Sequence, residues 1–478
     1  MNKSVIRYIL SWVLQIEGAL LLLPCLVAVL YREKSGIAFA VVAFLCLCIG
    51  SLGKWKKPKN TDFYARDGFL AVSLSWVLLS LVGALPFLLN REIPSFEDAL
   101  FETISGFTTT GASILTDVEA LSRCSLFWRS LTHWIGGMGV LVFLLAILPL
   151  AGGNQMHLLR AESPGPTVGK LVPRMRSSTQ ILYGIYFALT VVEALLLLLS
   201  GMPLFDSLTL SFGTAGTGGF GILNDSAASY TAVQQVILTV FMILFGVNFN
   251  VYYFLLIRKP KQAFGCEEAR VYFGIIAVST ALILWNIRDA FGSLLEGLRH
   301  AAFQVASIIT TTGFSSVDFN AWPTFSKTIL VLLMFIGACA GSTGGGIKVS
   351  RCLVFFRSVK REVAATVHPR SVRRVHLEGR PLDKQVLHSI ERFLVAYVLL
   401  FAGSVLLVSL DNLDFTSTFT AVAATLNNIG PGLEAVGPAS NFSALSGLSK
   451  FVLMFDMLAG RLELFPMLIL FSPSIWKK

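Results

Sequence analysis

Between Tyr8 and Tyr31 the chain carries a single charged side chain, Glu17. A helical run of that length and character crosses the ~30 Å hydrocarbon core of a bilayer. Similar runs recur at about 36–53, 68–90, 125–150, 179–200, 231–257, 270–287, 324–357, 386–410 and 447–474. Ten such runs leave a chain no soluble solution, because each would have to bury an apolar surface on all sides. The expected fold class is therefore an all-α polytopic membrane protein. Composition agrees: 54% of residues are hydrophobic and 14% are charged, against about 25% charged in soluble domains. The first run is too long for the apolar core of a signal peptide and lacks a small-residue cleavage site, so no cleavable leader is expected.

Charge sets the orientation. The net charge is +10, and 28 of the 38 Lys and Arg fall in a few stretches: the first residues, 54–66, 160–176, 258–270, 348–392 and the last two residues. Such clustering on one side is the positive-inside pattern. It places those stretches and both termini in the cytoplasm and the chain in the inner (plasma) membrane. The external connections "NREIPSFED", "SGMPLFD" and "LDNLDF" are short and poor in basic residues. A nucleic-acid partner is not expected, since the basic charge follows the membrane sides and no recognition motif accompanies it. The seven Cys include no CxxC, and the six His show no metal-ligand spacing, so buried thiols are expected rather than disulfides or a zinc site.

Behind a two-helix hairpin (1–60), four units share one plan and fall at 61–177, 178–265, 266–380 and 381–478. Each has an apolar span, a short amphipathic segment, a Gly-rich polar knot, a second apolar span and a basic loop. The knots read "TTTGAS" around Gly111, "GTAGTGGFG" around Gly218, "TTTGFSS" around Gly313 and "NNIGPG" around Gly430. Recurrence at a period near a hundred residues marks structural copies. The segments ahead of the knots (94–107, 204–213, 291–309, 413–426) are mostly too short to span, so they dip in and return. Irregular backbone at that depth must be buried in protein or line a watery cavity. Glycine lets successive carbonyls turn to one point, and threonine adds a hydroxyl. Rings of neutral oxygens replace the hydration shell of a monovalent cation, and helix C-termini aimed at the cavity assist. A divalent site would use carboxylates, and the knots contain none. One such cluster alone would be an ordinary external turn; four at the same place in four copies point to an ion pathway.

This order, together with "ISGFTTTGAS", "WRSLTHWIGGMGV", "GTAGTGGFG", "TTTGFSS", "GSTGGGIKVSR", "NNIGPG" and "GRLELFP", resembles the Trk/Ktr/HKT superfamily of potassium transport proteins over nearly the whole chain. The two extra N-terminal spans resemble the Trk-type membrane subunit. The resemblance implies four pseudo-symmetric helix–pore-loop–helix repeats around a central pore, with K⁺ as transported substrate and no organic cofactor. It implies a selectivity filter built from Thr109, Thr110 and Gly111; Gly216, Thr217 and Gly218; Thr311, Thr312 and Gly313; and Asn428, Ile429 and Gly430. Glycine in every knot favours K⁺, since a serine in one knot accompanies Na⁺ permeation in related proteins. The resemblance also implies a homodimer of whole chains in membrane lipid, and a separate cytoplasmic nucleotide-binding regulatory subunit. The basic stretch 360–380 offers that subunit a surface.

Two further features interrupt the apolar runs. "FIGACAGSTGGGIKVS" (335–350) places Gly341, Ser342, Thr343, Gly344, Gly345 and Gly346 inside a span. Three consecutive glycines break a helix, and the resemblance implies a loop that obstructs the pore. It is not a phosphate loop, because GxxxxGK[ST] is absent. Arg461 lies near the middle of the last span, where a cation costs at least ~2.5–3.5 kcal/mol unless it faces water or a partner. It has no acidic residue at helical spacing, so it is expected to face the pore or to pair on another helix, with Glu193 as one candidate. Arg129 and Trp128 read as an outer-interface anchor, and Gly136, Gly137 and Gly139 as close helix contacts. No nucleophile–base pair or metal cluster suggests an enzyme. The leading function is K⁺ uptake; a Na⁺- or H⁺-coupled symporter or a less selective K⁺/Na⁺ channel is the alternative.

Overall fold

A computed structural model describes residues 2–55, 57–58, 64–139, 175–369 and 374–473. Parts of the expected features lie outside the described residues. These are the end of the first copy's second span, most of its basic loop, parts of the basic stretches 54–66 and 360–380, and the terminal "IWKK". The chain is an all-α polytopic membrane protein of two N-terminal helices and four repeats. Among the described residues, six helices are long and apolar enough to cross a bilayer, and a seventh if one bent pair is counted as a span.

Helices Lys3–Leu20 and Leu22–Tyr31 form a nearly continuous span that returns as Gly36–Lys54. Small residues hold this hairpin tight: a Cβ on Gly18 would lie 2.9 Å from the Cβ of Cys46. Each repeat then opens on a long helix, Ala65–Leu89, Met175–Leu199, Glu267–Ile287 and Lys384–Val408. Large apolar side chains such as Leu199, Leu399 and Leu406 are exposed on these helices, while Ser105, Ser211, Ser307 and Thr425 are fully buried at the centre. A molecule with apolar flanks and a polar axis suits lipid as solvent.

The re-entrant helices are Phe96–Phe107, Leu204–Gly216, Leu294–Ile309 and Phe415–Leu426. At ~1.5 Å per residue they reach ~18–24 Å, less than the bilayer core. Their outer ends are capped. Ser95, Ser293 and Asp414 accept the amides of Asp98, Glu296 and Ser417, and Pro203 precedes the second helix. Acidic residues in the first turns (Glu97, Asp98, Asp206, Glu296) complement the helix dipole. Hydrogen bonds from Ser417 hold the Asp414 carboxyl below its ordinary range. This cap therefore contributes fully above the unfolded value of about 3.9 and is lost as pH falls through the lower folded value.

The second spans depart from expectation. Only the third is expected to be interrupted, yet among the described residues the helix stops partway in every copy. Arg123–Gly137 ends at a Gly-rich turn; Ala232–Phe245 and Phe249–Leu256 meet at 89°; Thr324–Ile336 is followed by a non-helical loop before Val349–Val367; and Gly447–Arg461 gives way to Leu464–Ile469. The reason is tertiary. A Cβ on Gly136 would fall 1.9 Å from the carbonyl oxygen of Phe107, and one on Gly460 would fall 2.1 Å from that of Leu426. In the first and fourth copies the outer half stops where it docks beneath the end of a re-entrant helix.

One two-residue ladder, His376–Leu377 with Arg380–Pro381, departs from the helical plan on the basic side. Glu378 at its tip accepts the amides of Glu267 (2.9 Å) and Glu268 (3.3 Å), capping the third copy's first helix. Arg357 joins the two by pairing with Glu267 and donating to the His376 carbonyl at 2.7 Å. Glu378→Ala should cost ~0.5–2 kcal/mol of helix stability. Hydrogen exchange at the Glu267 and Glu268 amides should accelerate while the middle of that helix stays unchanged; equal exchange in both proteins would remove the cap from this account.

Candidate functional site

Each re-entrant helix ends in the same turn. The amides of Thr109, Thr217, Thr311 and Asn428 reach three residues back, to Gly106, Thr214, Ile308 and Thr425. The next amides, of Thr110, Gly218, Thr312 and Ile429, reach five back, to Ser105, Gly213, Ser307 and Ala424. This pair of bonds is the Schellman ending, which requires a left-handed residue. Thr109, Thr217, Thr311 and Asn428 supply it, at φ 55°, 54°, 60° and 55°. Three of the four are β-branched, for which that conformation costs ~1–2 kcal/mol. Packing enforces the strain, since all four side chains are fully buried. Two residues on, Gly111, Gly219, Gly313 and Gly430 also have positive φ.

These equivalences correct the second knot. Its counterpart of Thr109, Thr110 and Gly111 is Thr217, Gly218 and Gly219. The expected set Gly216, Thr217 and Gly218 is one residue out of register.

The four knots close on one another in order. A Cβ on Gly111 would meet the Gly218 oxygen at 2.0 Å, one on Gly219 the Thr312 oxygen at 1.9 Å, and one on Gly313 the Ile429 oxygen at 2.0 Å. A Cβ on Gly430 would meet the Thr110 oxygen at 2.8 Å. Copy one thus touches two, two touches three, three touches four and four touches one. The result is a collar whose repeating chemistry is the peptide carbonyl. The hydroxyls of Thr110 and Thr312 turn back to Thr108 (2.8 Å) and Thr310 (2.7 Å). Gly218 and Ile429 have none, so backbone oxygens are the group common to all four walls.

Polar braces hold the collar from behind. Arg129 pairs with Glu102 at 2.7 Å, with both side chains almost wholly buried. It also donates to the Gly221 carbonyl at 3.1 Å. Glu102 accepts from the Ser113 hydroxyl (3.0 Å) and the Ile114 amide (3.1 Å). Trp128 is buried and donates to the Gly83 carbonyl at 3.1 Å. Neither residue is an interface anchor, because the outer half of the second span packs inside the protein. His133 accepts the Phe220 amide on Nε2 (3.2 Å), which leaves Nδ1 to donate to the Gly106 carbonyl (2.9 Å) and ties copies one and two. Asn428 donates to the Thr110 hydroxyl and the Met457 carbonyl, each at 2.9 Å.

Beneath the collar runs the non-helical loop of the third copy. Gly337, Gly341 and Gly346 have positive φ there. The Gly345 amide donates to the Thr311 hydroxyl at 2.6 Å, and a Cβ on Gly344 would lie 2.9 Å from the Thr310 oxygen. The hydroxyls of Ser342 and Thr343 bond the carbonyls of Cys339 (2.6 Å) and Phe245 (3.2 Å). Arg461 reaches this loop: its guanidinium donates to the carbonyls of Thr343 (2.8 Å) and Gly137 (2.7 Å), and to that of Gly136. Glu193 is buried elsewhere, beside Thr214. Gly136 and Gly137 are close contacts: Gly136 lies against Phe107 and Thr109 of the first re-entrant turn, and Gly137 against Gly216 of the second and Tyr186 of the span Met175–Leu199. A cavity of about 130 Å³ opens here, lined by Gly345, Asn427, Arg461 and Glu463 among others.

Sequence reasoning missed three groups at this level. Glu268 accepts the amides of Ala340 (2.8 Å) and Ser350 (2.9 Å), so one carboxylate holds both sides of the loop. Arg351 pairs with Glu463. Lys348 is buried with its ammonium on the Gly344 and Gly345 carbonyls. An acidic residue directly ahead of an apolar run was the available signal for Glu268. Among the described residues, no group of three His, Cys, Asp or Glu is arranged to hold a metal ion.

The chain is similar to known transport proteins along its whole length. It is 39% identical over 486 residues to a Salmonella typhimurium protein named Trk system potassium uptake protein TrkH, covering 100% of this chain and 99% of that one. An Escherichia coli K12 protein named Trk system potassium uptake protein TrkG is 33% identical, with 100% of both chains covered. The crystal structure of the potassium transporter TrkH from Vibrio parahaemolyticus superposes with a TM-score of 0.90 at 34% identity, covering both chains fully. The family model for TrkH, described as a cation transport protein, matches residues 35–288 and 288–478. With that model spanning more than nine-tenths of the sequence, the chain belongs to the TrkH family, a family of cation transport proteins rather than enzymes.

Proposed function

We propose that the chain is the ion-translocating membrane subunit of a potassium uptake system. The observation that carries this reading is the closed collar, in which four equivalent turns meet in cyclic order and carbonyl oxygen is their shared chemistry. In it, Thr109–Thr110–Gly111, Thr217–Gly218–Gly219, Thr311–Thr312–Gly313 and Asn428–Ile429–Gly430 form the filter. An ion sheds water against these oxygens and moves inward, driven by ~2.3 kcal/mol per charge per 100 mV of inside-negative potential. Gly341–Gly346 and Arg461 then form the gate. The loop fills the path below the filter, and the guanidinium adds a fixed positive charge that disfavours cation occupancy. The protein works in the inner membrane with both termini cytoplasmic, as a homodimer in lipid. A nucleotide-binding cytoplasmic subunit acts on the basic surface that continues into the Val349–Val367 helix and the Glu378 hairpin.

Rubidium uptake into liposomes holding the purified chain tests the core of this. Rb⁺ should enter under an inside-negative potential. In Gly313→Ser, reversal potentials should show the K⁺/Na⁺ preference falling about tenfold. Unaltered preference would detach the third knot from the filter, and Rb⁺ exclusion while unrelated solutes pass would end the proposal.

A further inference from the structure

We infer that Lys348 supplies a tethered cation that sits in the conduction path directly beneath the filter, so that a permeating ion must displace it as well as the glycine backbone. The inference rests on the pathway proposed above. Lys348 is 2% exposed and its ammonium lies on the carbonyl oxygens of Gly344 and Gly345, the latter at 3.1 Å. Those are the loop residues that abut the knots from below. The Gly345 amide donates to Thr311, and a Cβ on Gly345 would fall 2.5 Å from the Asn427 oxygen. Peptide oxygens around a compact monovalent cation are the same chemistry the filter offers K⁺. An ammonium is retained at membrane depth where it faces such partners or a watery cavity. Lysine also holds an unfavourable backbone here, at φ 82°, so the chain accepts strain to aim this side chain into the loop.

Lys348 differs from Arg461 in what carries it. Arg461 ends a helix of the fourth copy and reaches the loop from outside. Lys348 is the residue immediately before helix Val349–Val367, and Arg357 of that helix is tied to the Glu378 hairpin on the basic side. A displacement of this helix withdraws the ammonium along its own axis. The Glu268 carboxylate, bonded to Ala340 and Ser350 on either side of the segment, opposes that displacement.

The test is basal Rb⁺ flux through the full chain in liposomes without any regulatory subunit. Lys348→Met and Lys348→Gln should each raise basal flux about tenfold by removing the seated charge. Gln keeps a hydrogen-bond donor, so a merely structural clasp predicts wild-type flux for it. Wild-type flux in a folded Lys348→Gln protein overturns the inference. A second measurement uses the wild-type chain. Acetic anhydride followed by mass spectrometry should label Lys348 far more slowly than the exposed Lys360 and Lys384, and equal rates overturn the inference even if the variants fail to fold. If Lys348 variants match a wild type that does pass Rb⁺, this inference alone fails. If the wild type passes none, the proposed function fails with it.

Discussion

Gly219→Ala should reduce Rb⁺ flux by at least about a hundredfold. A methyl group there would lie 1.9 Å from the Thr312 carbonyl oxygen, and the residue sits at φ +75°. The left-handed backbone costs an L-residue ~1–2 kcal/mol, and overpacking a dense site adds ~1–3 kcal/mol. Together they approach ~3 kcal/mol, which corresponds to about a hundredfold at ~1.4 kcal/mol per decade. The neighbouring walls can relieve the overlap only by moving the carbonyls that define the collar. Gly184→Ala is the matched control, since nothing lies within 4 Å of its added Cβ, and its flux should equal wild type. Wild-type flux in Gly219→Ala would mean that the second knot does not wall the path.

Breaking the Arg129–Glu102 pair should have the largest effect on stability. Glu102→Gln leaves the guanidinium buried without its carboxylate, and removing one partner of a buried pair costs ~3–5 kcal/mol. Glu102 also holds Ser113 and Ile114, and Arg129 holds Gly221, so the loss extends to the outer loops of two copies. Thermal unfolding of the detergent-solubilised protein should show a large fall for Glu102→Gln and for Arg129→Met. The double variant should lose less than the sum, because neither charge is then stranded. Additive losses would show that the two residues act separately.

The knots were legible because three of them display a local signature. Thr-Gly or Asn-X-Gly after a short amphipathic helix needs no long-range information to be read as a re-entrant turn. The second knot reads one residue early because "GTAGTGGFG" offers glycines at 213, 216, 218, 219 and 221, and several registers satisfy the pattern. What fixes the register is the left-handed residue that ends the helix, and Thr217 shows that only in three dimensions. Breaks in the second spans were visible where three glycines stand together, and invisible at the solitary Gly246 and Gly460. Arg129 looked like an interface residue because its partner lies 27 positions away on another helix. Lys348 reads in sequence as one more cytoplasmic charge, since its seat consists of backbone atoms that no side-chain pattern announces.

One polypeptide contributes every wall of the collar, and each wall arises from its own codons. A single substitution therefore alters one quarter of the ring and leaves three quarters untouched, whereas in an assembly of four identical subunits it would be imposed on every face at once. Asn428 and Ile429 standing where two other walls carry threonines show that such asymmetry is already built in. Gradual retuning one face at a time is open to this architecture.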